Sequence, residues 1–364
     1  MTAETTAQPP ATGPAAAQPA GQPAGQPAGG PAARPVTPLG PDSLTWRLFG
    51  DWRGLLQGPW AGSMQNMHPQ LGAAVEQHSI FFTERWQRLY RSLYPIGGVV
   101  FDGDRAPATG RQVRDYHRGI SGVDSKGRRY NALNPDVFFW AHATFVMGVA
   151  RVQDYLGYPL TDAEREQLWA EGLVWYSMYG MPMRDLPPDW ASFQAYWDRM
   201  CAEVLEDNRA TRDVLDLSEL AKPPLAPWLP EAAWRLLRVP IARGFVWLTV
   251  GMYDEPVRRL LGYDWTARDE RALKALRLVI RNVWRLVPFE RRYHPRARSA
   301  WRRARGKIPA DAPLVETPDR NLPPPAYLNS PHHYVGSHRP HPGAAPARLA
   351  EDAGEGDIGA PGRP

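Results

Sequence analysis

The sequence NPDVFFWAHATFVMGVARVQDYLG, at residues 134–157, decides the fold of this 364-residue chain. Asn134 is a good N-cap, Pro135 suits the first helical position and Gly157 is a common C-terminal stop, so the segment predicts one long helix. The helix is apolar on nearly every side, which is typical of a helix buried in a core. Its apolar part is interrupted by His142 and is too short to span a bilayer.

Segments on both sides of this helix show apolar residues three and four positions apart and almost no strict alternation. Thr161 and Glu164 predict a capping box at the start of the next helix, which should continue to Gly180. Further helices are predicted around 86–93, 192–205, 231–237, 243–252 and 267–285. The sequence therefore predicts an all-α fold, a single multi-helix globular domain.

The composition changes sharply towards both ends of the chain. Residues 1–40 are rich in Ala, Pro, Gly and Gln, and residues 321–364 are rich in Pro, Gly and Ala. Both tails are predicted to be disordered because they have too little apolar surface to bury. The domain is therefore placed at 41–320. Four histidines in the second tail are interpreted as part of a mobile loop: His332, His333, His338 and His341.

Cysteine content and charge suggest where the protein acts. The one cysteine, Cys201, cannot form an intramolecular disulfide, and no export signal is visible, so we expect a cytoplasmic protein. The formal net charge is +5, with the basic excess concentrated at 291–307. Such a run is usually a solvated helix face. We therefore expect no nucleic-acid partner, and at most a weak contact of 291–307 with a membrane surface.

The common catalytic signatures are missing from the sequence: there is no G-x-S-x-G elbow, phosphate loop, dinucleotide fingerprint or H-E-x-x-H pair. The predicted domain has five histidines, and two of them share an apolar helical face. His117 lies with Val113 and Ile120, and His142 lies near Phe138. Such a histidine is more often a core residue, but a neutral imidazole between apolar walls is also what a haem iron needs.

Arg88 and Ser92 stand four residues apart on one helix. They fall on the face opposite Trp86, Leu89 and Leu93. On this pattern alone, both side chains are expected to be solvated.

Short motifs in a fixed order resemble the catalytic domain shared by latex clearing proteins and the mycophenolate-pathway oxygenase. They are Asp42-Ser-Leu-Thr-Trp, Gly50-Asp-Trp-Arg, Met67-His-Pro-Gln, His78-Ser, Arg88-Leu-Tyr-Arg-Ser, His117, Asn134-Pro-Asp, Trp140-Ala-His and Val287-Pro-Phe-Glu-Arg. The resemblance covers roughly 42–305. It implies an all-helical oxygenase that binds haem b and acts with O2 on an apolar substrate such as an isoprenoid or a lipid.

The same resemblance implies a site of five residues. His117 matches the proximal histidine and is the expected iron ligand. Arg88 matches a family arginine and Ser92 the threonine four residues later, so both are expected to contact the haem and to act in catalysis as donors towards O2. Arg91 stands where rubber oxygenases have a lysine able to cap the iron, which a guanidinium cannot do. His142 matches a second family histidine and is expected to support the cofactor rather than to ligate it. No residue matches the glutamate that acts as base in rubber cleavage.

Two other functions stay open from the sequence. One is a non-catalytic haem or lipid binding or sensing protein that uses the same pocket. The other is a helical interaction protein whose basic C-terminal helix docks on nucleic acid or on a membrane surface. Oxygen uptake with an alkene would distinguish an oxygenase from the haem or lipid binding protein. A colourless protein whose binding to DNA or vesicles depends on salt would favour the interaction protein.

Overall fold

The centre of the fold is the long apolar helix at 135–156. The structure is a computed structural model, and it describes residues 37–328 except 80, 82, 83 and 225. The helix begins at the predicted cap, where the Asn134 side chain accepts a hydrogen bond from the Asp136 amide, and it ends before Gly157. Its buried side chains point in all directions around the axis, so other helices enclose it.

Thirteen α-helices occur among the described residues, and the predicted all-α fold is confirmed. In chain order they are α1 (Leu44–Leu48), α2 (Gly58–Asn66), α3 (Pro69–His78), α4 (Arg85–Phe101), α5 (Ala106–Asp115), α6 (Pro135–Leu156), α7 (Asp162–Met178), α8 (Trp190–Arg199), α9 (Arg209–Leu215), α10 (Glu231–Met252), α11 (Glu255–Leu261), α12 (Ala267–Leu286) and α13 (Pro295–Ala304). The two strands of the described chain, β1 (Ser121–Val123) and β2 (Arg129–Asn131), pair antiparallel.

One predicted boundary is wrong. The segments 231–237 and 243–252 form a single helix, α10, with Pro240 inside it. Proline leaves the carbonyl four residues earlier without a donor. Pro240 and Leu236 both lie on the exposed side of α10, so water can satisfy that carbonyl.

The described residues belong to one compact unit. Most of the two tails that the sequence predicts to be disordered, 1–36 and 329–364, lies outside the described residues, as do the four tail histidines. The described chain continues past 320 in two short 3-10 turns, Asp319–Asn321 and Pro325–Tyr327. The side chain of Asn321 is buried there.

The basic segment 291–307 is only partly solvated, which corrects the expectation of a solvated face. Arg296 of α13 is buried and donates to both carboxylate oxygens of Asp102, with Nε 2.9 Å from Oδ1 and Nη2 2.5 Å from Oδ2. The Thr109 hydroxyl donates to Asp102 Oδ2 over 2.7 Å. This buried ion pair holds α13 against the C-terminal end of α4.

Three buried histidines make the stability of the protein sensitive to acid. Burial lowers the pKa of His68 to about 4 and the pKa values of His142 and His294 to about 3. In the unfolded chain the three imidazoles are protonated near pH 6.5, whereas in the folded chain they are protonated only near pH 3 to 4. Because the unfolded chain binds more protons between these pH values, acid favours unfolding there. We expect the free energy of unfolding to fall as pH is lowered from about 6.5 to about 5, by at most roughly 4 kcal/mol per pH unit.

Urea denaturation at several pH values measures this dependence. The control is His294→Asn, because His294 Nδ1 accepts from the Ala297 amide at the start of α13 and asparagine is also a good N-cap. This variant should show a shallower pH dependence. A free energy of unfolding that stays constant from about pH 6.5 to about pH 5 would contradict the prediction.

Candidate functional site

A cavity of about 210 Å³ lies between α3, α4, α5 and α6. The five residues that the sequence analysis assigned to a site all line it: Arg88, Arg91, Ser92, His117 and His142. They come from α4, from the turn after α5 and from the middle of α6. The fold therefore brings together side chains from three separate segments of the chain.

Most of the cavity wall is apolar, with Val75, Ile96, Val113, Phe138 and Phe145 among its lining. The polar lining consists of guanidinium, imidazole, hydroxyl and amide groups. No aspartate or glutamate of the described chain lines the cavity. The cavity thus combines an apolar wall with positive charge, and it suits a ligand that is largely apolar and carries a negative group.

His117 lies in the turn that follows α5, because α5 ends at Asp115 and Gly119 then adopts a positive φ of 81°. Its Nδ1 donates to the Val113 carbonyl over 2.8 Å, and the Phe138 ring packs edge-on at 5.7 Å. Burial and the nearby Arg88 charge lower the pKa of His117, which keeps the imidazole neutral. Nε2 has no hydrogen-bond partner among the described residues. One ring nitrogen is therefore held and the other is open to a ligand.

Arg88 lies on the cavity side of α4 and donates to the hydroxyl of Ser92. The expectation that these two residues are solvated is wrong, because α4 packs against α5 as well as against α13, so little of it faces solvent. Burial, with a further contribution from Arg91, lowers the pKa of Arg88 to about 10. Within the described residues, Arg88 forms no ion pair with a carboxylate.

Arg91 differs from Arg88 in its partner. Its Nη2 lies 2.7 Å from Glu84 Oε2, and both side chains are poorly exposed, at 6% and 12%. The carboxylate of Glu84 compensates the charge of Arg91. Arg88 is therefore the guanidinium whose charge a negatively charged ligand could balance.

His142 connects two helices from the middle of α6. Its Nε2 donates to the Gly172 carbonyl of α7 over 2.9 Å, and the rings of Trp175 and Tyr176 pack at 5.1 Å. Its Nδ1 is buried, and no described residue forms a hydrogen bond with it. Since burial lowers the pKa of His142 to about 3, the ring is neutral. It can position the cavity wall and offer one further acceptor.

Six further polar residues line the cavity, and the sequence did not assign them to the site: Gln65, Asn66, His78, Ser79, Tyr116 and Tyr179. The His78-Ser motif and the position of Tyr116 beside His117 could have pointed to three of them. His78 Nε2 lies 3.1 Å from the Tyr130 hydroxyl. Tyr179 follows the end of α7, and nothing in the local sequence marks it as part of a site.

The described residues form no cluster of three or more His, Cys, Asp or Glu side chains able to hold a bare metal ion. A haem iron needs no such cluster, because the porphyrin supplies four nitrogen ligands and the protein needs to add only one axial ligand.

The family of the chain is established by comparison. Residues 46–282 match the family described as "ER-bound oxygenase mpaB/B'/Rubber oxygenase, catalytic domain", so the chain belongs to this family of oxygenase catalytic domains. The match confirms the resemblance seen in the motifs and includes all five candidate residues. It ends before the Val287-Pro-Phe-Glu-Arg motif.

The chain is also similar to two mycobacterial proteins, both called uncharacterised. They are Mb2261 of Mycobacterium bovis and Rv2237 of Mycobacterium tuberculosis, each 25% identical over 194 residues, which is 53% of this chain and 71% of the relative. No solved structure matches the chain significantly. Among the helices of the described residues, none has the length and apolar character needed to cross a membrane.

Proposed function

We propose that this oxygenase binds haem b in the cavity through His117 and uses O2 to oxidise an apolar substrate such as an isoprenoid or a lipid. The observation that carries the proposal is the state of His117. Its Nδ1 is held by the Val113 carbonyl, while its Nε2 is unpartnered among the described residues, in a ring that lines the cavity. A histidine that is to hold a haem iron needs this arrangement. When bound, haem supplies the O2 chemistry that side chains lack.

Arg88 and Ser92 would act on negative charge in this site. The uncompensated guanidinium can balance a carboxylate of the cofactor, or charge that develops on the substrate side during oxidation, and the Ser92 hydroxyl fixes its position. The apolar wall excludes water, which strengthens the field of Arg88. Serine keeps the hydroxyl that the family threonine would provide.

Arg91 and His142 would support the cofactor without ligating the iron. Arg91 is engaged with Glu84, and a guanidinium stays protonated, so we propose no state in which it caps the iron. His142 would hold α6 against α7 beside the cofactor. Because no carboxylate of the described chain lines the cavity, imidazoles are the available proton acceptors there.

The ligand of the iron can be tested by spectroscopy. Cys201 does not line the cavity, and burial raises the pKa of its thiol, so it should not ligate the iron. We expect the reduced protein with CO to give the absorption spectrum of a histidine-ligated haem, unchanged in Cys201→Ser. A thiolate-type spectrum that is lost in Cys201→Ser would reject the assignment.

Oxygen uptake tests the proposed activity. Protein expressed with ample haem should consume O2 with at least one member of a panel of isoprenoid and lipid alkenes, and the oxidised product should be detected by mass spectrometry. Bound haem without oxygen uptake would instead favour the haem carrier or sensor. The cytoplasmic location stays a prediction from the sequence.

A further inference from the structure

Helix α12 has one face that the rest of the described chain leaves uncovered. On the inner side Leu273 is buried, and Leu276 and Ile280 pack against the core. Four large apolar side chains lie away from that side: Leu278 is 49% exposed, Val279 58%, Val283 53% and Leu286 84%. Val279, Val283 and Leu286 are spaced four and three apart, so they form a stripe along the helix. We call Val279, Val283 and Leu286 the α12 stripe.

The charges of α12 are mainly positive. The helix has six basic residues, Arg268, Arg271, Lys274, Arg277, Arg281 and Arg285, and two acidic residues, Asp269 and Glu270.

Both acidic residues have partners within the fold. Asp269 closes the capping box with Thr266 and accepts from the Trp247 indole, while Glu270 accepts from the Trp265 indole and lies 3.6 Å from Lys274. Neither carboxylate is left to balance the remaining exposed cations of α12.

Two of the basic residues point towards the fold. Arg277 donates to the Gly157 carbonyl over 3.2 Å, and the guanidinium of Arg281 lies 5.0 Å from the Tyr158 ring centre. The other four basic residues, Arg268, Arg271, Lys274 and Arg285, are exposed. An apolar stripe with exposed cations beside it is the pattern of a helix that lies in the interface of an anionic membrane.

Charge decides between the two occupants that could cover the α12 stripe. A second copy of the chain would bring the cations of two α12 helices close together, which is repulsive. Anionic phospholipid headgroups would neutralise them while the stripe enters the acyl boundary. The basic segment 291–307, which the sequence suggested for membrane contact, exposes no large apolar side chain, so it lacks the apolar part of such a surface.

We propose that α12 docks the protein on the surface of a bilayer that contains anionic phospholipid, with the helix axis in the membrane plane. The α12 stripe enters the boundary between headgroups and acyl chains, and Arg271 and Arg285 bind lipid phosphates. The proposal does not depend on the cofactor or on the substrate.

Co-sedimentation of the full chain with vesicles tests the proposal. We expect binding to vesicles of phosphatidylcholine with phosphatidylglycerol, weaker binding to phosphatidylcholine alone, and a decrease with salt. Val279→Asp combined with Val283→Asp should lower the partition coefficient roughly tenfold or more, because the stripe can no longer enter the boundary. Arg271→Gln with Arg285→Gln should lower it severalfold, and only for the anionic vesicles.

The control is Val123→Asp, which places a single aspartate at an apolar residue of similar exposure, 50%, on β1. This variant should bind like wild type, and circular dichroism should show that all variants are folded. Absence of binding to anionic vesicles, or equal binding by the folded Val279→Asp, Val283→Asp variant, would overturn the proposal. If the wild type does not bind vesicles but forms a dimer, and the Val279→Asp, Val283→Asp variant is monomeric, the α12 stripe is the contact with a second copy of the chain.

Discussion

Replacing His117 with alanine is expected to abolish haem retention, whereas His142→Ala should keep at least part of the haem. His117 would provide the only bond between the protein and the iron, so its loss leaves the cofactor held by contacts with the cavity wall alone. His142 reaches the Gly172 carbonyl instead. Loss of such an outer contact weakens metal binding by roughly 10- to 100-fold. The measurement is haem retained per chain after desalting, for each variant and wild type.

His68→Ala is the matched control for this experiment, since His68 is a buried histidine that does not line the cavity. It should retain haem, and circular dichroism should confirm that every variant is folded. Equal retention in folded His117→Ala and wild type would reject His117 as the ligand. Loss of haem in His142→Ala alone would make His142 the iron ligand and His117 the supporting residue. A wild type without haem would reject the proposed cofactor.

Replacing Arg296 with alanine should lower the free energy of unfolding by about 3 to 5 kcal/mol. The Asp102 side chain has no exposed surface, so the variant leaves a buried carboxylate whose remaining side-chain donor among the described residues is the Thr109 hydroxyl. An unpaired buried charge is far more costly than an unpaired charge at the surface. Urea denaturation at neutral pH measures the loss.

Two further variants separate the loss of the ion pair from the general effect of truncating an arginine side chain on α13. Arg302→Ala, at an exposed position of the same helix, should change the stability by less than about 0.5 kcal/mol. Asp102→Asn combined with Arg296→Met removes both charges and should recover part of the loss of the single variant. A loss of less than about 1 kcal/mol in Arg296→Ala would show that water reaches Asp102.

The sequence determined the features that depend on neighbouring residues. Asn134, Pro135 and Gly157 set the limits of α6, and Thr161 with Glu164 forms the capping box that starts α7. Caps and stops act within one helical turn, so they can be found without the fold. The assignment of the five candidate residues to one site came from motifs shared with the family. Local pattern alone had predicted that the Arg88 and Ser92 side chains are solvated.

Only the tertiary structure decided which helix faces are covered. Arg88 and Ser92 face a cavity because α4 has neighbours on both sides. Asp102 accepts hydrogen bonds from Arg296, which lies 194 positions further along the chain. In the opposite sense, the α12 stripe stays exposed although its residues are as apolar as those of the core. Hydrophobic spacing shows which residues share a face of a helix, but the partner of that face comes from distant parts of the chain, and those contacts form only when the helices pack.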